Sequence, residues 1–176
     1  MKGKTPSEKA IDEAIEEQFK SSPAFVAWFL ERTKIKVRGA KYRWSRSNHP
    51  WGKAPLIQTD PKTGLHEKAN REGETDILVV FECVDGSRFA VHIENKVASP
   101  FTDLQPEMYA ARAAHWIGSS KHGNYTKFKT ALVAPVSFYE RWEQDARKFD
   151  VFVPYEELAP YVPLVGEALS SSRAAE

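Results

Sequence analysis

The sequence predicts a mixed α/β fold, a small mixed sheet flanked by helices, from three observations. Helical periodicity opens the chain in "TPSEKAIDEAIEEQF", alternating apolar residues form a hairpin across "ETDILVVFECVDGSRFAVHIENKV", and helix-like and strand-like segments alternate after it. The order reads helix, three strands, helix, strand, helix, strand, which lays helices over a sheet.

In the first helix Thr5 is the expected N-cap, with Pro6 at the first position and Glu8 three residues after the cap. Ile11, Ile15 and Phe19 recur every fourth residue and mark the buried stripe; Asp12 and Glu16 border it, while Glu13 and Glu17 point away. After "WFLERT", the segments "KIKVRG" and "AKYRWSR" alternate like strands, and "NHPWGKAP" and "TDPKTG" read as loop or turn. Beyond the hairpin, "FTDLQPEMYAARAAHWIG" reads as a helix capped by Thr102 or Asp103, with Pro106 in its first turn and Gly118 as its stop. "FKTALVAP" is a short buried strand, "SFYERWEQDARKF" a helix and "VFVPY" a last strand. One domain is expected over 1–168, with a disordered tail over 169–176 that contains "SSSRAAE".

Composition narrows the function classes. A chain of 176 residues, 41% hydrophobic and 28% charged, can bury one sizeable core and is short for two. A formal net charge of +1 leaves any charge signal to its distribution. The single cysteine, Cys83, excludes an internal disulfide framework and a cysteine-rich zinc site, and fits a reducing cytoplasm. "MKGKTPSEKA" lacks the apolar centre of a signal peptide, and "AFVAWFL" is far too short to span a bilayer. A cytoplasmic protein without a membrane partner is the expectation.

The hairpin register carries the chemistry. With Asp85-Gly86 as a two-residue turn, Ile77 would oppose Glu94 and Val79 would oppose His92, which mixes the faces. With a three-residue loop, Val84-Asp85-Gly86, and a left-handed Gly86, Ile77 meets Ile93, Val79 meets Val91, Phe81 meets Phe89, and Glu82 meets Arg88. Every pair then matches in character. The same register sets Asp76 opposite Glu94, with Lys96 two residues on and on the same face. A solvated cross-strand charge network is the plain alternative, but Leu78, Val80, Ala90 and His92 on that face imply cover on both sides. Two carboxylates about 5 Å apart under cover repel, which raises one pKa or recruits a cation. Hard oxygen ligands without a nearby thiolate favour Mg²⁺ or Mn²⁺.

These residues resemble the PD-(D/E)XK nuclease superfamily. Asp76 in "TD" is followed by "IENK", with Glu94 and Lys96 eighteen and twenty residues later on the next strand, and Gln105 and Tyr109 in "QPEMY" reproduce the QxxxY element of its RecB-like and lambda-exonuclease-like branches. The resemblance implies a restriction-endonuclease-like αβββαβ core from Thr5 to Pro135 and a metal-dependent nuclease acting on DNA. It further implies that Asp76 and Glu94 are metal ligands, that Lys96 positions or activates the attacking water, and that an acidic residue of the first helix completes the site. Glu16 is the choice for that residue, with Asp12 its rival; the N-terminal cap accounts for Glu8. Thr75 stands where the family has proline, and Asn95 is an uncommon middle residue expected to point away from the site. Gln105 and Tyr109 share a helical face and could orient the substrate or Lys96; without the resemblance they could equally be a polar helix edge with a packed tyrosine.

Charge is also segregated along the chain. From Arg32 to Thr59 there are eight Lys or Arg residues and no Asp or Glu, with Tyr42, Trp44 and Trp51 interleaved. Cations neutralise phosphates and aromatic rings stack on bases, so Lys41, Arg43, Trp44, Arg46, Trp51 and Lys53 are the expected nucleic-acid face. An ordinary amphipathic strand with Trp44 in the core is the alternative. The five histidines show no metal-ligand spacing, and only His92 is placed to line the site. A catalytically inactive nucleic-acid-binding module on the same fold is the alternative function.

Overall fold

The computed structural model describes residues 5–35, 37, 39–48, 50–59 and 62–173. The first helix, α1 (Glu8–Ser21), is capped by Ser7, whose Oγ accepts from Ala10 N at 3.2 Å. This corrects the assignment of Thr5: the hydroxyl in reach of the third helical amide is that of Ser7, and Glu8 becomes the first helical residue. Ile11, Ile15 and Phe19 are fully buried, as the four-residue repeat requires, while Glu13 and Glu17 are exposed. Ser22 caps α2 (Pro23–Arg32) by accepting from Phe25 N. Of the expected strand "KIKVRG", Lys36 and Arg38 lie outside the described residues, and the described ones are in no strand; Lys34 takes a left-handed φ of 53°, which is not extended backbone.

The remaining elements are β1 (Lys41–Arg46), β2 (Trp51–Thr59), β3 (His66–Glu74), β4 (Ile77–Glu82), β5 (Arg88–Asn95), α3 (Gln105–His115), β6 (Lys127–Ala134), α4 (Val136–Arg141), α5 (Glu143–Ala146), β7 (Val151–Pro154), α6 (Tyr155–Leu158) and α7 (Pro163–Arg173). Five strands form one sheet in the order β1-β4-β5-β6-β7, antiparallel from β1 to β5 and parallel from β5 to β7. The fold is mixed α/β, with helices on a five-stranded mixed sheet.

β2 and β3 make a separate two-stranded ladder, from Trp51 opposite Glu74 to Thr59 opposite His66. The loop assignment of "NHPWGKAP" is therefore corrected. Among the described side chains of this ladder, the buried hydrophobics are Ala54 and Leu56, packed with Met108 of α3, and a sustained alternating apolar signal is missing from the sequence. "TDPKTG" falls at the tip, with Asp60 and Pro61 outside the described residues.

The central hairpin adopts the expected register, from Ile77 opposite Ile93 to Glu82 opposite Arg88. Cys83 N donates to Ser87 O at 2.8 Å, Gly86 N donates to Cys83 O at 2.9 Å, and Gly86 has φ of 78°, which closes the loop on Val84-Asp85-Gly86. One face of the sheet, carrying Ile77, Val79, Phe81, Val91 and Ile93, packs against α1, α2 and α7. The other carries Leu78, Val80 and Ala90 beneath Trp116 and Tyr125. The hairpin is covered on both sides.

α3 starts at Gln105, after Leu104 with a left-handed φ of 57°. Neither Thr102 nor Asp103 caps it; the contact is reversed, with Thr102 N donating to the Gln105 Oε1 at 3.0 Å. Gly118, at φ of 73°, stops the chain after the helix as expected. "SFYERWEQDARKF" forms two short helices, α4 and α5. α7 continues through Arg173 with Leu169 packed on the main core, so helix replaces the first part of the expected disordered tail. No described helix is long and apolar enough to cross a membrane.

Candidate active site

β4 and β5 deliver Asp76 and the Glu94 to Lys96 run to the same end of the sheet, and α3 closes over them. Asp76 precedes β4, is 8% exposed, and its Oδ2 accepts from Asn95 N at 2.7 Å. Glu94 is 1% exposed. Its Oε1 is held twice, by Lys96 Nζ at 3.0 Å and by Gln105 Nε2 at 2.6 Å. Its Oε2 is buried and accepts no hydrogen bond. The Lys96 ammonium also lies over the Phe101 ring, 5.7 Å from its centroid.

Tyr109 joins strand to helix. Its hydroxyl accepts from Asp76 N at 3.1 Å and points its proton toward Ile93 O at 3.4 Å. Burial, with the charges of Asp76 and Glu94 added, pushes its pKa well above the usual phenol value, so it is a neutral donor. Gln105 thus reaches the Glu94 carboxylate, while Tyr109 is a packed tyrosine, fully buried beside Phe149, whose hydroxyl meets the backbone of Asp76.

The electrostatics are those of crowded carboxylates. Burial raises Asp76 well above the ordinary range, and the charges of Glu94 and Asp12 raise it further. Glu94 is also raised by burial, against the opposing pull of Lys96 and the Tyr109 hydroxyl. Asp12 is pushed up to about 8 by burial, with the Asn95 hydrogen bond opposing and Glu94 and Glu8 adding to the rise.

The first-helix carboxylate is the main correction to the site. Glu16 is buried but serves β1: its Oε1 accepts from Ser45 Oγ at 2.7 Å and pairs with Lys20 at 2.8 Å, and its Oε2 accepts from Ser47 N at 3.1 Å and from Ser47 Oγ. These donors outweigh burial and hold its pKa below the usual value. Both Glu16 oxygens are thus engaged with Ser45, Ser47 and Lys20, away from Asp76 and Glu94. Asp12, one turn earlier and fully buried, is a first-helix carboxylate whose charge reaches the pair, adding to the rise of Asp76, and its Oδ1 accepts from Asn95 Nδ2 at 2.8 Å. Glu8 is not a capping residue either, since its Oε1 accepts from Val97 N at 3.0 Å. Asn95 points away from the Glu94 side chain as expected, toward α1, and accepts from the Tyr155 hydroxyl.

Arg112 is a site neighbour that the sequence reading passed over. It lies at the i+7 position from Gln105, so the same helical face announces it. Although 1% exposed, it donates from Nε to Thr75 Oγ1 at 3.0 Å and from a terminal nitrogen to Glu74 O, fixing the chain just before Asp76. Thr75 in turn meets His92 Nδ1 at 3.2 Å, and His92 Nε2 meets the Tyr125 hydroxyl at 3.0 Å. Tyr125 donates to Ala113 O, so it accepts from His92, which is then the neutral Nε2–H tautomer. Burial, reinforced by the Arg112 charge, holds His92 well below its ordinary pKa. His92 supports the site from beneath and does not line it.

The donor set fits a hard divalent cation in one respect and not in another. A buried carboxylate oxygen without a donor, beside a second carboxylate raised by repulsion, suits Mg²⁺ or Mn²⁺. Among the described residues, no group of three or more His, Cys, Asp or Glu could hold a metal ion. Mg²⁺ commonly takes one or two carboxylates and completes its shell with water and phosphate oxygens, so a site of fewer than three carboxylates is compatible with that ion. Comparison with protein-family models, curated proteins and solved structures found no match.

The expected nucleic-acid face is divided among three places. Lys41 lies beside Lys20 and Tyr42, against α1 and α2. Arg43 pairs with Glu82 at 3.4 Å, and Arg46 lies over the Trp44 ring at 5.5 Å in a separate groove. Trp44 is half-buried on the Leu78 and Val80 cluster, so the core alternative holds for its ring. Lys53 pairs with Glu72 at 3.1 Å across the β2–β3 ladder. Trp51, 61% exposed, shares a cavity of about 390 Å³ with Lys96, Gln105 and Arg112 and is the aromatic residue nearest the chemistry in that set.

Proposed function

We propose that the chain is a metal-dependent nuclease of the PD-(D/E)XK type that hydrolyses phosphodiester bonds of DNA, on a restriction-endonuclease-like αβββαβ core. The observation that carries this reading is the Glu94 carboxylate at the Asp76 end of the sheet: Lys96 and Gln105 hold its Oε1, while its Oε2 is buried and accepts no hydrogen bond. Support for the core comes from the main-sheet order: α1, then β1, β4 and β5, then α3 and β6.

Asp76 and Glu94 would hold Mg²⁺ or Mn²⁺, which when bound supplies Lewis-acid stabilisation and a water of lowered pKa. Lys96 lies within hydrogen-bonding distance of Glu94, where its ammonium can hold the attacking water or neutralise a phosphate oxygen. Gln105 fixes the Glu94 carboxylate, Tyr109 fixes the Asp76 backbone, and Arg112 fixes the two residues before it. Trp51 offers a ring for a base beside the cleft.

A second reading, a non-catalytic nucleic-acid-binding module, is favoured by the lack of a three-member metal-ligating group among the described residues. One experiment separates the two. Wild type and Asp76→Asn are incubated with labelled linear, circular and single-stranded DNA and RNA across a Mg²⁺ and Mn²⁺ titration, with EDTA as control. The nuclease reading expects cleavage by the wild type alone, with the variant equally or more stable once the repulsion is relieved. A wild type that binds nucleic acid, takes up no divalent ion and cuts none of these substrates refutes it.

A further inference from the structure

A cationic groove of about 420 Å³, lined by Arg43, Trp44, Arg46, Arg88 and Lys121, runs along β1 from the end of the sheet opposite the carboxylates, where Arg88 lies. Arg88 and Lys121 lie outside the cationic stretch of the sequence and are brought there only by the fold. One carboxylate, Glu82, answers this charge: its Oε2 pairs with Arg88 Nε at 3.2 Å and with Arg43 Nε at 3.4 Å. The groove is built rather than incidental. Arg88 also donates to Gly123 O at 3.1 Å, and a Cβ on Gly123 would lie 2.7 Å from Val80 and 3.4 Å from Trp44, so backbone forms part of the wall at close range. The local field is positive: His122 is held at a pKa of about 4 by burial, with Lys121 and Arg46 adding to the fall.

We propose that this groove takes a backbone phosphate of a nucleic acid bound at the carboxylate site. Arg88 and Glu94 are six residues apart on β5 and lie on the same face of the sheet, because side chains alternate. At about 3.3 Å per residue Arg88 is about 20 Å from Glu94, or about six base pairs at about 3.4 Å each; Arg46, on β1 opposite Leu78, lies nearer. Trp116 and Tyr125 cover the face between the two sites, so the polynucleotide passes outside that layer. A duplex that reaches the Arg88 end of the groove is therefore longer than one that covers the carboxylates alone. The placement relative to the scissile bond rests on the nuclease reading; the groove itself does not.

The test is binding of fluorescent DNA stem-loops with stems of four, eight, twelve and twenty base pairs, measured by anisotropy between low and moderate salt in EDTA. The variants are Arg46→Gln/Lys121→Gln and, because Arg46 covers Trp44, Lys121→Gln alone. The wild type is expected to bind the twenty-base-pair stem with a steeper dependence of log K on log salt than the four-base-pair stem. The double variant is expected to lower that slope by about one to two, at about 0.9 per phosphate contact, and to change the four-base-pair stem less. A slope that does not depend on stem length, or an unchanged slope in both variants with unchanged melting temperature, overturns the proposal. Cleavage of the same stems with Mg²⁺ is followed in parallel. Groove-dependent binding without cleavage would refute the nuclease reading while upholding the groove, and cleavage with no groove dependence would do the reverse.

Discussion

Asp12→Asn tests the electrostatics of the site without touching Asp76, Glu94 or Lys96. Asp12 is fully buried and its pKa is pushed from 3.8 up to about 8. A carboxyl whose folded pKa exceeds its unfolded one binds more protons in the native state, so stability is fully present below about pH 4 and is lost as pH rises through about 8. Each pH unit in that window costs about 1.4 kcal/mol, and the whole window about 6 kcal/mol. That is a large part of the roughly 5–15 kcal/mol that holds a domain folded. At about 2–4 °C per kcal/mol for a chain of this size, the wild type in EDTA should lose roughly 10–20 °C of melting temperature between pH 4.5 and pH 8.5. An asparagine at this position keeps an oxygen for Asn95 Nδ2, carries no proton to lose, and should remove the share of that slope that Asp12 contributes. Asp76 and Glu94, whose pKa values are raised as well, add slope of the same sign that the variant keeps. The assay is thermal unfolding by circular dichroism over that pH range in both proteins. Parallel slopes, or a wild type that gains stability as pH rises, would refute the crowded-carboxylate account.

Two further outcomes follow from named contacts. Lys96→Ala should leave divalent-ion uptake in place, as measured by calorimetry, yet slow cleavage by about 100-fold or more if the ammonium stabilises the transition state. Gly73→Ala should destabilise the fold in denaturant titrations by about 1–3 kcal/mol, because its Cβ would lie 2.5 Å from the buried Nη1 of Arg112, a guanidinium whose Nε and Nη2 are held on Thr75 and Glu74.

How legible all this was in the sequence depends on where each signal resides. The β4–β5 register could be read because period-two burial and loop length constrain each other, and only one loop matched every pair. The β2–β3 ladder could not, because "HEKANREGE" is stabilised by its partner strand and not by an apolar face. In α1, helical spacing placed Asp12 and Glu16 equally well beside the buried stripe. What separates them is tertiary: Ser45 and Ser47 claim one, and Asn95 meets the other. Arg112 was within reach of the same spacing argument that found Gln105 and Tyr109. The cationic stretch misled in a different way, since adjacency in sequence became dispersal over three surfaces, and the densest cluster drew Arg88 and Lys121 from elsewhere.

The two-stranded ladder has a consequence for how the molecule comes apart. Its hydrogen bonds close on themselves, and its attachment to the body runs through Ala54 and Leu56 against Met108, and through Gly52, whose missing Cβ admits the Trp116 ring. The central ladder shares none of these bonds. Opening of β2 and β3 from α3 would break the Arg112 bond to Glu74 O and the Arg71–Asp103 pair but none of the hydrogen bonds between β4 and β5. Trp51, at the foot of the ladder, and Gly73, over Arg112, would move with it. Hydrogen exchange should accordingly report the ladder as an opening unit distinct from the central hairpin. The cleft beside Lys96 thus has one wall on the central hairpin and the other on a ladder that shares no strand pairing with it.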